Sequence, residues 1–295
     1  MKISKIKKKY AKVDGTMYGE KNIAESLAVL YHENSKFTSY SSRIQGEKIS
    51  AFNFNPYVIK RSSQPFKYYP NHKKIDLSPY IDPKIEANIF DVLKKRRSLR
   101  DFDSKYKLTL SELATLLYES YGVTYKSKIA DSEINGHVGM RNVPSGGALY
   151  PLELYVVIFN ADIPSGLYHY NSDLNALESL KEGDFIDDLL DIIQAEPYVN
   201  MQSSSALIIT TGIIERVLIK YGDRGYRFLM QESGFVGQTI SLLAESVNLG
   251  LCWLGGYNDD KVNTFLGIDG VFETVNSIMV IGKDKVKIQS VSIKK

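Results

Sequence analysis

Few residues of this sequence are suited to thiol, disulfide or cysteine-based metal chemistry. The 295 residues include one cysteine, Cys252, which excludes an internal disulfide and a cysteine-rich metal site. Cys252 lies in the apolar run 249–254, where a free cysteine usually behaves as a small buried hydrophobe. We therefore expect a structural thiol and, because low cysteine content is compatible with a reducing compartment, a cytoplasmic protein.

Histidine is also scarce. His32, His72, His137 and His169 are the only four, and they are scattered without the spacing of metal ligands. The acidic residues form no calcium loop of the type D-x-[DN]-x-[DN]-G, no serine lies in a G-x-S-x-G context, and no G-x-G-x-x-G or Walker A sequence follows a predicted strand. We predict no bound metal, and these absences argue against Rossmann and P-loop nucleotide sites.

Long apolar runs and strong net charge are absent as well. No apolar run reaches the roughly 18 to 20 residues of a membrane span, and the lysine-rich start lacks the apolar region of a signal peptide. The formal net charge is +3, and a cluster of lysines at the start of a chain is more typical of a solvated tail than of a nucleic-acid surface. We expect neither a membrane nor a nucleic-acid partner.

The remaining composition is that of a globular protein, with 43% hydrophobic residues, enough for a large core. Residues 1–85 are rich in Lys, Ser, Asn and Tyr, with one amphipathic segment at 23–31 followed by loop-like sequence through Pro56, Pro65 and Pro70. We predict an N-terminal extension over 1–85, laid on a larger domain over 86–295.

Hydrophobic periodicity sharpens after residue 85 and predicts helices interspersed with strands. The helices are 87–95, 109–121 with Gly122 as its stop, 185–193 and 225–248; the strands are 152–159, 206–211, 251–254, 277–281 and a hairpin of 166–170 with 176–180. The segment 125–142 is polar and receives no element.

A glycine-rich turn, 144–151, leads into the first of these strands. Pro144, Ser145, Gly146 and Gly147 begin it, and a backbone without Cβ atoms lets a flat ligand approach its N–H groups. A turn that needs only a positive φ explains the same residues.

A basic cluster follows the helix at 87–95. Arg96, Arg97, Ser98 and Arg100 offer three forked, permanently charged guanidiniums and a hydroxyl, a set suited to phosphate. The alternative is a solvated helix end favoured by the helix dipole.

The long helix carries small residues on one face, namely Gly234, Gly237, Ser241 and Ala244. Each glycine costs about 1 kcal/mol of helix propensity, so the stripe needs a reason. Close packing of a partner helix is one explanation, and a cofactor or dimer contact is the other.

Two further pairs are candidates for a site. Gly255 and Gly256 follow the strand 251–254 and form either a ligand-facing turn or a plain one. Lys220 and Tyr221 precede the long helix; they suit proton donation, and a lowered pKa would let one act as a base. Exposed pairs of this kind are common.

In combination and order, these motifs resemble the nitroreductase-like flavin enzymes, most closely the SagB-type dehydrogenases that include McbC-like azoline oxidases. The likeness covers 89–283. The segments that carry it are 96–102 (RRSLRDF), 144–155 (PSGGALYPLELY), 166–170 with 177–180, 220–228 (KYGDRGYRF), 232–238 and 250–257 (GLCWLGGY). The usual Glu-x-Gly-His-x-x-Gln-Asn pattern has Phe235 in place of its His and Thr239 in place of its Asn.

The resemblance implies an α+β fold, with a mixed or antiparallel sheet flanked by helices, in a homodimer that holds FMN at the subunit interface. By position, the phosphate, ribityl chain and pyrimidine edge would be held by Arg96, Arg97, Ser98 and Arg100. The isoalloxazine would lie against Pro144, Ser145, Gly146 and Gly147. Gly255 and Gly256 would be near the reactive edge of the ring, and Lys283 would add a phosphate contact.

The resemblance also implies a reaction, the oxidation of thiazoline or oxazoline rings to azoles in a ribosomally made precursor peptide. Lys220, helped by Tyr221, would remove the ring proton, and the extension would cradle the peptide or dock a cyclodehydratase partner. Two alternatives remain: an NAD(P)H-dependent nitro or quinone reductase, and a non-catalytic scaffold subunit of a peptide-modifying synthetase complex.

Overall fold

A seven-stranded antiparallel sheet forms the centre of the protein in a computed structural model that describes residues 26–62, 65–82, 84–128 and 137–285. The strands are β1 (Lys74–Asp76), β2 (Val123–Lys128), β3 (His137–Arg141), β4 (Leu152–Ile158), β5 (Gly166–Asn171), β6 (Ala176–Glu182), β7 (Ala206–Ile213), β8 (Gly250–Leu254) and β9 (Glu273–Gly282). The sheet order is β1-β6-β5-β4-β7-β9-β8, and β2 pairs with β3 in a separate hairpin. The predicted antiparallel sheet flanked by helices is confirmed.

The helices cover both faces of this sheet. They are α1 (Leu27–Asn34), α2 (Ser39–Asn53), α3 (Pro56–Ser62), α4 (Ile89–Lys95), α5 (Leu110–Tyr121), α6 (Ile186–Leu190), α7 (Glu215–Tyr221), α8 (Gly225–Ser246) and α9 (Asp259–Leu266). Among the described residues, no helix combines the length and the apolar character needed to cross a bilayer.

Neighbouring residues of β4 enter two separate hydrophobic cores, one on each face of the sheet. Leu154 and Val156 pack in the core that includes α5 and α8, whereas Tyr155 and Val157 pack in the core that includes α6 and α9. Because side chains alternate across a strand, a strand covered on both faces is apolar throughout. All seven residues of β4 are buried, as the run at 152–159 predicts.

The helix predicted at 109–121 is confirmed as α5. Thr109 is its N-cap: Thr109 Oγ1 accepts from Glu112 N at 3.2 Å, and Glu112 Oε2 accepts from Thr109 N at 3.0 Å. Such a capping box satisfies two backbone donors that a helix start leaves free. The apolar face with Leu113, Leu117 and Tyr121 is buried, so α5 is fixed at its start and along its length.

The expectation of loop through Pro56 is wrong, because α2 and α3 occupy 39–53 and 56–62. Serines and charged residues interrupt the apolar pattern of α2, which buries only Gln45 and Phe52. Thr38 caps this helix by accepting from Ser41 N. Tertiary contacts and a cap thus stabilise a helix that periodicity alone does not reveal. The predicted segment at 23–31 is helical from Leu27, and 23–25 lie outside the described residues.

The polar segment at 125–142, for which no element is predicted, contains most of β2 and all of β3. β2 and β3 form an antiparallel hairpin there, and most of β2 is exposed. A solvent-exposed strand need not alternate between apolar and polar residues, so the sequence pattern of β2 does not indicate a strand. Within the predicted extension, β1 pairs with β6 at the edge of the main sheet. Part of 1–85 therefore belongs to that sheet.

Candidate functional site

The glycine-rich turn ahead of β4 has an unusual backbone. Gly147 has a φ of 67°, and Ala148 and Tyr150 also have positive φ, at 54° and 40°. Tyr150 N donates to Ser145 Oγ at 2.9 Å and closes the turn. Positive φ at residues other than glycine costs free energy and is concentrated at functional sites. The turn is therefore held in a conformation that the surrounding structure imposes.

Lys220 and Tyr221 end α7 directly against this turn. A Cβ at Gly147 would lie 2.5 Å from Tyr221 Oη and 3.0 Å from Lys220 Nζ. A side chain at this position would displace Tyr221 Oη or Lys220 Nζ, which lie 74 and 73 residues further along the chain. Burial lowers the pKa of Lys220 and raises the pKa of Tyr221. The pair thus combines an amine that loses its proton more readily with a phenol that keeps its own.

A buried carboxyl group lies beneath the turn. Glu232 of α8 accepts a hydrogen bond from Tyr121 Oη at 2.7 Å and is 1% exposed. Burial raises the pKa of Glu232 to about 6, while the Ser145 hydroxyl and the hydrogen bond from Tyr121 act in the opposite direction. The influence of Ser145 on this pKa places the glycine-rich turn close to the carboxyl.

The arginine-rich segment lies along β8. Ser98 pairs with Leu251 in parallel orientation, and Leu99 N donates to Leu251 O at 3.0 Å. Gly250 must be glycine here, since a Cβ would lie 2.1 Å from a Leu99 side-chain atom. The segment therefore runs in the same direction as β8, toward the glycine pair that follows this strand.

The side chains of this segment are largely open to solvent. Arg97, Ser98 and Arg100 are exposed, and Arg96 is half-buried. Arg97 Nη1 donates to the backbone at Lys94 O and Arg96 O. Within the described ranges, no ion pair engages any of these three arginines, so their guanidiniums are available to an anion.

Three further predicted residues directly follow β8 and β9. Gly255 has open space where its Cβ would be, and Gly256 O accepts from Gln194 N at 2.8 Å. Lys283 O accepts from Asp103 N at 2.9 Å, and Lys283 Nζ lies 5.3 Å from the centre of the Tyr106 ring. This hydrogen bond joins the end of the arginine-rich segment to the end of β9.

The predicted residues thus form two groups within one chain. The turn group consists of Pro144, Ser145, Gly146, Gly147, Lys220 and Tyr221. The arginine group consists of Arg96, Arg97, Ser98, Arg100, Gly255, Gly256 and Lys283. In the part of the chain that the structure describes, no hydrogen bond or ion pair joins the two groups.

Helix α8 contacts the surroundings of both groups. Near its start, Phe228 would meet a Cβ at Gly146 at 3.2 Å. Further along, a Cβ at Gly237 would lie 1.6 Å from Trp253 of β8, and Trp253 Nε1 donates to Ser241 Oγ at 3.4 Å. The small-residue stripe therefore accommodates an indole of the same chain at Gly237. Gly234, one turn earlier, has nothing within 4 Å of its Cβ position.

These residues fit a planar molecule with a phosphate tail. The arginine group offers guanidiniums that make no ion pair with any residue the structure describes, and forked guanidiniums suit phosphate. It also ends at Gly255, whose open Cβ position leaves space for a ring. Leu251 pairs with Ser98 of the arginine-rich segment, and Gly255 has the open Cβ position. A strand rises roughly 13 Å between these two residues.

An open cavity of about 940 Å³ lies beside α7. Its lining includes Leu149 from the end of the glycine-rich turn, together with Leu218, Ile219 and Phe272. None of the residues predicted to bind FMN or act in catalysis is among its lining. The cavity is therefore a neighbour of the turn group rather than the predicted cofactor site.

Solved structures share this architecture. A nitroreductase-named protein of Anabaena variabilis superposes with a TM-score of 0.66 and 26% identity over 87% of this chain and 46% of its own. A chain of the Escherichia coli microcin synthetase McbBCD complex, with truncated pro-MccB17 bound, gives 0.55 and 20% over 96% of this chain and 93% of its own. The sheet order and flanking helices thus define a nitroreductase-like α+β fold.

Sequence relatives agree with the fold. MJ1384 of Methanocaldococcus jannaschii, which carries a nitroreductase name, is 32% identical over 184 residues, 62% of this chain and 86% of the relative. The Escherichia coli microcin B17-processing protein McbC is 25% identical over 57% of this chain and 60% of its own length. The Rhizobium leguminosarum trifolitoxin-processing protein TfxB is 27% identical over 47% and 38%. The chain spans less than two thirds of either processing protein.

The nitroreductase family model matches residues 93–283, more than half of the chain. The protein therefore belongs to the nitroreductase family of flavin-dependent oxidoreductases.

Proposed function

We propose that this protein is an FMN-dependent azoline dehydrogenase of the SagB type, which oxidises thiazoline or oxazoline rings in a precursor peptide. The observation that carries the proposal is the convergence of Lys220 Nζ and Tyr221 Oη on Gly147. The similarity to McbC and TfxB, both named as processing proteins, supports a peptide substrate. A synthetase partner such as a cyclodehydratase and a cytoplasmic location complete the proposal.

FMN, when bound, supplies the acceptor for the hydride that leaves the azoline ring. Lys220 Nζ accepts the ring proton, a role that its burial favours by lowering its pKa. Tyr221 keeps its phenolic proton, since burial raises its pKa, and donates a hydrogen bond to the substrate. The turn at Gly147 fixes both groups with respect to the ring. The ring thus loses one proton and one hydride and becomes aromatic.

Arg96, Arg97, Ser98 and Arg100 hold the phosphate end of FMN in this proposal, with Lys283 as an added contact. Gly255 and Gly256 admit the reactive edge of its ring, and Pro144, Ser145, Gly146 and Gly147 lie against the isoalloxazine. No hydrogen bond or ion pair among the described residues joins the two groups, which agrees with a homodimer in which each site takes one group from each subunit. Exposed Met230, Phe235 and Trp253 near α8 offer apolar surface for that contact.

Mass spectrometry of a cyclodehydrated peptide incubated with the FMN-loaded protein tests the reaction. We expect each ring to lose two hydrogens with the native protein, and no loss with Lys220→Ala, which still binds FMN. Lys261→Ala, at an exposed lysine of α9, is the matched control and retains activity. Full oxidation by Lys220→Ala would remove Lys220 from the mechanism.

Subunit mixing tests where the two groups meet. One subunit carries Lys220→Ala and the other carries Arg96→Gln with Arg100→Gln; each alone is inactive. If a site joins groups from two subunits, random re-association restores about a quarter of native activity, because half of the dimers are mixed and each has one intact site. If both groups of a site come from one chain, mixing restores nothing.

A second candidate is an NAD(P)H-dependent nitro or quinone reductase, which the nitroreductase name of the 32% identical relative favours. Rapid oxidation of NADPH with a small nitroaromatic, unaffected by Lys220→Ala, would support it. A colourless protein that binds no added FMN would instead support the non-catalytic scaffold.

A further inference from the structure

The N-terminal helices are fastened to the turn that joins α7 to α8. Tyr31 Oη donates to Asp223 O at 3.0 Å. Arg227 Nε donates to Ser35 Oγ at 2.9 Å, and Arg224 Nη1 donates to Ser35 O at 3.1 Å. These contacts join residues nearly 200 positions apart in the sequence, immediately after Lys220 and Tyr221. They hold α1 and α2 against the end of α7.

One residue of α2 contacts the backbone of Lys220 itself. Gln45 Nε2 donates to Lys220 O, and Gln45 is 8% exposed on a helix whose other polar side chains are not buried. The last carbonyl groups of a helix have no partner within it. Gln45 therefore supplies the hydrogen bond that the end of α7 lacks and fixes the carbonyl of Lys220.

A second residue of α2 covers the amine. The centre of the Phe52 ring lies 5.0 Å from Lys220 Nζ, and Phe52 is a buried member of the core. The Tyr221 ring lies on another side, at 5.6 Å. Among the described residues Lys220 makes no ion pair, and burial is the cause that lowers its pKa. Phe52 contributes apolar surface to that burial.

We propose that Gln45 and Phe52 are positioning residues of the site, holding Lys220 Nζ beside Gly147 and keeping water from it. The N-terminal segment is then part of the reaction centre as well as a surface for partners. This inference rests on the proposed function for the role of Lys220. The contacts assign different tasks to the two residues: Gln45 acts through the backbone, and Phe52 acts by excluding water.

Four variants, one of them a control, test whether Gln45 and Phe52 position Lys220. Phe52→Ala admits water to Lys220 Nζ, whereas Phe52→Leu keeps an apolar side chain in place. Gln45→Ala removes the donor to the Lys220 carbonyl and leaves the apolar cover intact. Phe54→Ala is the control, because Phe54 ends the same helix and is 82% exposed.

Competitive labelling with trace acetic anhydride measures Lys220 directly, without FMN or substrate. The rate of acetylation of the Lys220 peptide is followed by mass spectrometry from pH 6 to 10, and the urea-unfolded chain is the reference. In the native protein Lys220 should titrate at lower pH than in the unfolded chain. Phe52→Ala should move its titration toward the unfolded chain and slow acetylation at pH 8 about threefold, and Gln45→Ala should act in the same direction. Phe52→Leu and Phe54→Ala should match the native protein.

An unchanged Lys220 titration in Phe52→Ala, with native circular dichroism, overturns the inference. If Phe52→Ala does not fold, an unchanged titration in Gln45→Ala overturns it instead. Because labelling needs no turnover, the outcome is independent of the proposed function. Loss of ring oxidation in Lys220→Ala together with unchanged labelling in the α2 variants would keep the function and refute the positioning.

Discussion

Gly147 leaves no space between itself and Tyr221: a Cβ on Gly147 would lie 2.5 Å from the phenolic oxygen. The contact joins the glycine-rich turn before β4 to the end of α7, and the same position lies 3.0 Å from Lys220 Nζ. Different neighbours therefore restrict positions 146 and 147 to a residue without a side chain. A Cβ on Gly146 would lie 3.2 Å from the ring of Phe228 of α8, whereas a Cβ on Gly147 would meet the proposed catalytic pair.

Gly147→Ala should therefore impair both stability and activity. The positive φ of 67° costs an alanine about 1 to 2 kcal/mol, and the methyl group must displace Tyr221 or Lys220. We expect the free energy of unfolding in urea to fall by about 2 kcal/mol and ring oxidation to fall at least about tenfold. Gly255→Ala, with open space at its Cβ position, should change stability by less than about 1 kcal/mol. Equal stability losses in the two variants would contradict the packing argument.

Two glycines of α8 should respond in opposite ways to alanine. Gly234 is exposed with an open Cβ position, so Gly234→Ala should raise the free energy of unfolding by about 0.5 to 1 kcal/mol through helix propensity. A Cβ on Gly237 would lie 1.6 Å from Trp253, so Gly237→Ala must expel the indole and should lower stability by about 2 kcal/mol.

Fluorescence checks this second prediction at the site itself, because Trp253 is the single tryptophan of the chain. Gly237→Ala should shift its emission to longer wavelength as the indole moves into water, while Gly234→Ala leaves the spectrum unchanged. A native spectrum and native stability in Gly237→Ala would mean that Trp253 does not pack on α8.

Much of the fold follows from the sequence because its main elements have strong local signals. The fully buried strand β4 and the one-sided helix α5 differ from their surroundings in composition and period, and both are confirmed. Helix α2 could not be found in this way, since its stability depends on a cap at Thr38 and on two buried residues. The contacts of Gln45 and Phe52 are made with Lys220 of α7, which is far away in the sequence.

The candidate site shows the same limit. Glycine pairs and clustered arginines are recognisable in the sequence, yet the contact of Gly147 with Lys220 and Tyr221 and the pairing of Ser98 with Leu251 depend on tertiary packing. No sequence pattern connects Gln45 or Phe52 with Lys220, because the three residues meet only through the packing of α2 on α7. The packing of Trp253 on Gly237 could not be predicted either. The small-residue stripe indicates a close contact but does not identify the group that makes it.

Glu232 should make stability depend on pH in the acidic range. Burial raises the pKa of Glu232 to about 6, above the ordinary glutamate value in the unfolded chain. A raised folded pKa means that the folded state binds the proton more tightly, so its stabilising effect is complete below about pH 4.3 and is lost as pH rises through about 6. Glu232→Gln should remove this dependence.

Urea unfolding at pH 4.5 and pH 7.5 measures the effect. Between these values the native protein should lose up to about 2 kcal/mol that Glu232→Gln does not lose. Gln231→Glu adds a carboxyl at the neighbouring exposed position and should leave the native difference unchanged. If native protein and Glu232→Gln change equally with pH, the carboxyl is not buried as described.

The buried charge of His169 should contribute to the stability of the protein. Its Nε2 is 2.9 Å from Glu153 Oε2 and its Nδ1 is 2.9 Å from Glu178 Oε2, with no exposed surface. Burial alone would lower the pKa of His169, but the hydrogen bonds and charges of the two carboxylates outweigh it and raise the pKa. The stabilisation is therefore complete below the pKa of unfolded histidine and is lost as pH rises through the folded value.

His169→Leu leaves two buried carboxylates without the imidazolium between them and should lower the free energy of unfolding by about 3 kcal/mol at pH 6. The loss should be smaller at pH 9, where the native histidine has itself given up part of its charge. His72→Leu, at an exposed histidine, should change stability by less than about 0.5 kcal/mol at either pH. Because leucine supplies apolar surface but no charge, a destabilisation of His169→Leu that is the same at both pH values would assign the effect to packing rather than to the ion pairs.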